Sequence, residues 1–165
     1  EENPDWYNLF YLHRAIQHVS VDLLGESIDI FNVHFEAFNR TNRRKHVEFL
    51  VHLLGDEKAG GRIVLGDFNA LPPEAKKRHA FKDEPRDDYR NDDSISLMLS
   101  RSDFSETFRH INGKGLAQSH TFPAHEPNRR LDYLFGSRRF VVSQAWIPRI
   151  SELSDHLPVV TRFQL

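Results

Sequence analysis

The chain carries a compact set of groups able to activate water. In Arg62-Ile63-Val64-Leu65-Gly66-Asp67-Phe68-Asn69-Ala70, a carboxylate and a carboxamide stand two residues apart, directly after an apolar run. Three other stretches share this character: Asn32-Val33-His34-Phe35-Glu36-Ala37, Arg129-Arg130-Leu131-Asp132-Tyr133-Leu134-Phe135 and Ser154-Asp155-His156-Leu157-Pro158-Val159. Brought together, they place two histidines, three aspartates and one asparagine at one site. Carboxylates packed that closely repel one another unless a cation sits among them. Oxygen donors without sulfur favour a hard ion, Mg²⁺, Mn²⁺ or Ca²⁺. The set suits attack of water on phosphorus: an aspartate takes a proton, a metal and an amide hold the phosphate, and a histidine stabilises charge. Each residue also has a plainer alternative. His34 could cap a strand, Asp132 could pair structurally with Arg130, and Asp155-His156 could form a turn.

The elements that must position these groups can be read from periodicity. Ile63 to Leu65 is a short apolar strand, Gly66 lets the backbone turn or approach closely, and Pro72 and Pro73 end any strand. Residues 15–24 and 28–34 alternate about a turn at Gly25-Glu26-Ser27, which predicts a β-hairpin. Val47, Leu50, Val51 and Leu54 form a helical stripe within residues 40–54, with Thr41 or Asn39 to cap its start and Gly55 its end. Residues 74–93 are charge-dense and predict an exposed excursion, followed by a short helix over 95–99. Strands are expected at 131–135, 140–147 and 157–163. His34 and Asp67 then end their strands, while Asp132 and Asp155-His156 begin theirs. If the first pair runs antiparallel to the second, all four ends meet at one sheet edge. The pattern is mixed α and β in a single domain over residues 1–165, with mostly antiparallel pairing.

Composition bounds the function. The 165 residues are 39% hydrophobic and 28% charged, enough for one folded domain with a sizeable core. Lys and Arg total 22 against 24 Asp and Glu, so the net charge of -2 gives no global field for holding nucleic acid. Local basic clusters remain at Arg40-Arg43-Arg44-Lys45, Arg129-Arg130 and Arg138-Arg139. The absence of cysteine excludes disulfides, thiolate metal sites and cysteine nucleophiles, and fits the cytosol, the bacterial periplasm and the cell exterior alike. No apolar run reaches membrane-spanning length.

Gly66-Asp67-Phe68-Asn69, Arg130-Leu131-Asp132-Tyr133 and Ser154-Asp155-His156 resemble, in order, the three C-terminal motifs of the endonuclease/exonuclease/phosphatase superfamily, whose members include DNase I. Asn32-Val33-His34-Phe35 resembles its Asn-Thr-His-Leu segment. The resemblance covers roughly residues 11–165 and implies an α+β fold, a four-layer α/β/β/α sandwich. It implies that Asp67 orients or deprotonates the attacking water and that Asn69 holds a phosphate oxygen. It makes Asp155 a metal ligand, assisted by Asp67 and Asn69. It has His156, oriented by Asp132, stabilise the pentacovalent phosphate, and His34 contact a second phosphate oxygen or act as an acid. Arg43 and Arg130 are expected to grip substrate phosphate from the loops.

The resemblance has a limit. The family's N-terminal third carries an Asn and the principal metal-binding Glu, and nothing before residue 11 matches either. The chain thus reads as the C-terminal two-thirds of such an enzyme, with its sheet edge open to another segment or chain. With few carboxylates, it is expected to bind Mg²⁺ weakly on its own. The leading expectation is a metal-dependent phosphoesterase; the alternative is a non-catalytic binding module of the same fold. An unrelated α/β hydrolase is excluded by the lack of a Gly-x-Ser-x-Gly elbow. Nucleic acid, phospholipid head groups and sugar or inositol phosphates share this chemistry, and loops 35–44, 74–93 and 112–129 are expected to choose among them.

Overall fold

A computed structural model describes residues 14–55, 60–115 and 119–164. Among them the chain forms β1 (Ala15–Leu23), β2 (Glu26–His34), α1 (Arg40–Leu54), β3 (Gly61–Asp67), α2 (Ser94–Leu99), β4 (Phe104–Glu106), α3 (Thr107–Asn112), β5 (Asp132–Ser137), β6 (Val141–Trp146) and β7 (Val160–Gln164). Five strands make one sheet in the order β1-β2-β3-β5-β4, and β6 pairs with β7 in a second. Only β2 and β3 run parallel; every other pairing is antiparallel.

The expected hairpin is present, but its turn lies one residue earlier than the glycine pattern indicates. Leu24 and Gly25 both have positive φ, 56° and 83°, as a two-residue hairpin loop with the favoured twist requires. Helix α1 follows the expected span. Asn39 caps it by accepting the Asn42 N–H at 3.1 Å, and Gly55 closes it at φ 57°. Its buried stripe of Arg43, Val47, Leu50 and Leu54 packs, with Ile95 and Met98 of α2, on one face of the large sheet. That face presents Phe31, Val33, Val64, Tyr133 and Phe135, and the register sets Phe31, Val64 and Phe135 side by side.

The opposite face alternates with it and carries Ile30, Ile63, Leu65 and Leu134. The second sheet leans on this face through two rings. Phe140 lies against Gly61 and Phe163 against Gly136, so closely that an added Cβ would come within 2.6 and 2.7 Å of them. Helix α3 ties the sheets together: Thr107 Oγ1 lies 2.7 Å from Thr161 Oγ1, and the Asn112 amide donates to Ala145 O at 2.9 Å. The layer of α1 and α2, the large sheet and the small sheet thus stack in turn, with α3 bridging the sheets, a mixed α+β arrangement as expected.

Two elements were not anticipated, β4 and α3. A three-residue strand and a six-residue helix are shorter than the windows in which periodicity shows. The last strand also starts later than expected, at Val160, because Pro158 has no N–H to donate to a ladder. Among the described residues no helix is long and apolar enough to cross a membrane.

Candidate functional site

Strand register builds the site. His34 is paired with Asp67, and Asp67 with Asp132, so the three side chains occupy one rung across β2, β3 and β5 at the end of the second face. Neighbouring strands lie about 4.8 Å apart, which fixes the spacing of the row. The ladder continues just past it, through Phe35 N–H to Asp67 O at 2.9 Å and Phe68 N–H to Leu131 O at 3.0 Å. Gly66 permits this closeness. Its φ is 128°, and a Cβ there would sit 2.1 Å from Val33 O.

His156 reaches the row from irregular chain. The Leu157 N–H donates to Thr121 O at 2.7 Å and the Ala124 N–H to Asp155 O at 2.7 Å, clamping residues 155–157 against the preceding loop. The Thr121 hydroxyl accepts from the Leu131 and Asp132 N–H groups at 3.1 and 3.3 Å, so one residue braces both partners. His156 Nδ1 then lies 2.8 Å from Asp132 Oδ2, and its ring stands 4.7 Å from that of Phe122. Asp67, Asp132 and His156 bring one ligand atom each within 4.8 Å of one another. His34 Nε2 is 3.8 Å from Asp67 Oδ2.

Asn69 sits in the left-handed region at φ 49°, where an Asx side chain is tolerated, and is buried. Its N–H donates to Asp67 Oδ1 at 2.7 Å, and its amide donates to Asp67 Oδ2 at 2.9 Å and to Phe35 O at 3.0 Å. Both amide hydrogens are therefore committed within the protein, and Asn69 orients Asp67 from the side.

The electrostatics follow from this crowding. Burial, reinforced by the Asp132 carboxylate, pushes Asp67 up to about 7, against the opposing pull of His156, the Asn69 N–H and Arg14. For His156, burial opposes the charged form, yet the hydrogen bond and charge of Asp132, with Asp67 and Asp155 behind it, hold its pKa above the usual value. Burial lowers that of His34, with help from Arg14 and His156. Asp67, His156 and His34 each respond to others of the set.

Asp155 is solvent-exposed beside the trio, with Oδ1 accepting from the Ser154 hydroxyl at 3.2 Å. Two expected site residues lie elsewhere. Arg43 is fully buried. It pairs with Asp92 at 2.7 Å and donates to Glu36 O and Ala37 O at 2.8 Å, so it anchors the start of α1 and has no path to a phosphate. Arg130 is buried too, gripping Glu106 at 2.6 and 3.2 Å. Both arginines, Arg43 within α1 and Arg130 just before β5, are locked into the frame because a buried guanidinium must be paired inside.

Arg14 went unnoticed in the sequence and does reach the site. It hydrogen-bonds His34 Nε2 and acts electrostatically on Asp67. It precedes β1, whose Ala15 pairs with His34. Only that cross-strand pairing reveals it, because residues 1–14 show no period.

Comparison with known proteins supports the fold. The model of the Endonuclease/Exonuclease/phosphatase family matches residues 4–156. No curated protein sequence matches. Among solved structures, a family protein from Leptotrichia buccalis superposes with TM-score 0.60 at 16% identity, over 91% of this chain and 54% of that one. The mannosyl-6-phosphatase Bt3783 of Bacteroides thetaiotaomicron gives 0.59 at 19% identity, over 86% and 53%. An endonuclease/exonuclease/phosphatase from Beutenbergia cavernae gives 0.69 at 18%, over 97% and 42%. The chain thus spans about half the length of these structures. With the family match running over nearly the whole sequence and the fold shared, the chain belongs to the endonuclease/exonuclease/phosphatase family.

Proposed function

We propose that this chain carries the water-activating half of a divalent-metal-dependent phosphoesterase, acting by in-line attack of water on a phosphodiester or phosphomonoester. The observation that carries the reading is the convergence of Asp67, Asp132 and His156 within 4.8 Å. The donor set fits a hard divalent cation. It offers carboxylate oxygens without sulfur, and Asp67 is held partly protonated near neutral pH by burial and a neighbouring carboxylate that a cation would offset. Mg²⁺ suits a site with few protein oxygens because it keeps several waters; Asp67 and Asp155 would hold it, with Asn69 as a further oxygen donor. Such an ion supplies charge neutralisation at the phosphoryl oxygens.

The chain's own residues do the rest. Asp67, fixed by Asn69, orients a water and takes its proton as the new P–O bond forms and the ester oxygen departs. His156 donates its Asp132-oriented hydrogen bond, through the opposite ring nitrogen, to the developing charge. Arg14 takes the phosphate-gripping role expected of Arg43 and Arg130, with His34 holding its guanidinium in place. The substrate is a phosphate ester; the phosphatase from Bacteroides thetaiotaomicron is one precedent on this fold. The reading also includes a polypeptide segment or second chain covering the exposed apolar row on β1.

The test is turnover of bis-p-nitrophenyl phosphate with Mg²⁺ by the native protein and by Asp67→Asn. A general base contributes roughly 10²–10⁴-fold, so turnover is expected to fall by at least that much while circular dichroism keeps its folded form. Near-wild-type turnover in the variant excludes Asp67 as the base. Absence of turnover in the native protein, with phosphate-ester binding retained, favours a binding module.

A further inference from the structure

A cavity of about 430 Å³ opens between the segment that follows Asn69 and the segment that precedes Asp132. Leu71, Pro72 and Ala75 give it an apolar wall, and Lys76, Lys77 and Lys114 stand around it. The two arginines in its lining are already neutralised. Arg129 pairs with Asp83 at 2.7 Å and Asp87 at 2.9 Å, and Arg130 with Glu106 at 2.6 Å. Glu74, the acid next to the lysines, is taken by Arg109 at 2.5 and 2.7 Å. Lys77 lies 4.9 Å from the Phe81 ring. Among the described residues none of the three lysines forms an ion pair, though Lys114 lies close enough to Glu74 to act on it electrostatically, so the lining carries a surplus of positive charge.

The cavity adjoins the catalytic row. Leu71 is two residues beyond Asn69 and Arg130 two before Asp132, at most about 7 Å along the chain. His120 lines the cavity, and its neighbour Thr121 accepts the Asp132 N–H at 3.3 Å. The lining residues thus flank the catalytic row in the chain at three places, although none of the row's own side chains lines the cavity.

We propose that the cavity is a subsite for a second phosphoryl group of the same substrate, its charge held by Lys76, Lys77 and Lys114 and its carbon skeleton laid on Leu71, Pro72 and Ala75. The proposal rests on the phosphoesterase reading above. Three mobile ammonium groups suit a multiply charged phosphoryl group as point charges, and the volume falls within the range of small-molecule sites, larger than one phosphate needs. The backbone of a nucleic acid strand and a small bisphosphate both present this chemistry.

Two matched substrate pairs test it. Propane-1,3-diol bis(p-nitrophenyl phosphate) is compared with propyl p-nitrophenyl phosphate, and a thymidylate decamer with the dinucleotide, as kcat/KM ratios. In Lys76→Gln/Lys114→Gln, the preference for the member with more phosphates is expected to fall roughly tenfold, through KM. Loss in the first pair assigns a small bisphosphate; loss in the second assigns a strand. An equal-charge control, Lys45→Gln/Arg138→Gln, is expected to keep the preference. An unchanged preference in the lysine variant, or an equal loss in the control, overturns the subsite. If the native protein turns over neither pair, the phosphoesterase reading falls separately. The subsite is then judged by binding of fluorescein-labelled decamer and of propane-1,3-diol bisphosphate. A Kd raised roughly tenfold in the lysine variant alone sustains it, and an unchanged Kd overturns it.

Discussion

At the scale of single residues, the central fact is that Asp67 and His156 both hold protons more tightly in the folded chain than free in solution. The sign of the consequence is the same for both. A carboxyl raised to about 7 is protonated in the native state but ionised in the unfolded state between pH 4 and 7, so the unfolded state gains as pH rises. A histidine raised by Asp132 contributes stability below its ordinary pKa and loses it as pH climbs through the folded value. In metal-free buffer, denaturant-derived stability is therefore expected to fall from pH 5 to pH 8 by on the order of a few kcal/mol. Asp67→Asn should flatten that fall, and a wild-type profile that rises over this window would remove the electrostatic account. The aspartates and His156 were legible in the sequence because each sits in a short motif with a turn or strand boundary beside it. The fate of Arg43 and Arg130 was not, because a basic residue looks alike in the sequence whether it faces water or the partners found here, Asp92 and Glu106.

At the scale of elements, β3 does most of the positioning, and Gly66 is its critical link. A side chain at φ 128°, with its Cβ 2.1 Å from Val33 O, must push β2 and β3 apart. Gly66→Ala is expected to cost about 3 kcal/mol or more, read from equilibrium denaturation, and to weaken activity through the displaced Asp67. A loss below about 1 kcal/mol would show that the strands yield readily there. Helix α1 and the hairpin were legible because their periods run over many residues and their caps are of the usual types. The small elements β4 and α3 are set by tertiary contact instead. Glu106 caps α3 by accepting the Phe108 and Arg109 N–H groups at 3.1 and 2.8 Å while also pairing with Arg130, which lies 24 residues away. No local window contains that information.

At the scale of the whole molecule, the two faces of the large sheet are unequally covered. Helices bury one face, whereas the edge strand β1 leaves Val19, Val21 and Leu23 45%, 40% and 47% exposed. An apolar row on a sheet edge favours association. Concentration-dependent self-association is expected by sedimentation velocity, and Val19→Lys/Val21→Lys should reduce it; a wild-type chain that stays monomeric at high concentration would exclude this face as a contact. The layering was legible only through the family resemblance, since strand order is a property of long-range pairing. That pairing also decides which changes the chain can accumulate. His34, Asp67 and Asp132 share a rung because β2, β3 and β5 keep one register, and side chains alternate between faces with a period of two. Inserting or deleting a single residue between Gly61 and Asp67 would turn Asp67 toward the helices and Phe68 toward solvent. The segment 74–93 holds no named strand, yet it is pinned at particular points: Phe81 and Tyr89 are buried, and Asp83, Asp87 and Asp92 pair with buried arginines. Over generations the central strands can then change in composition but not in length, while this segment can change only between its anchors. Divergence in what is bound is thereby channelled into the exposed stretches between those anchors, with the reacting groups left where they are.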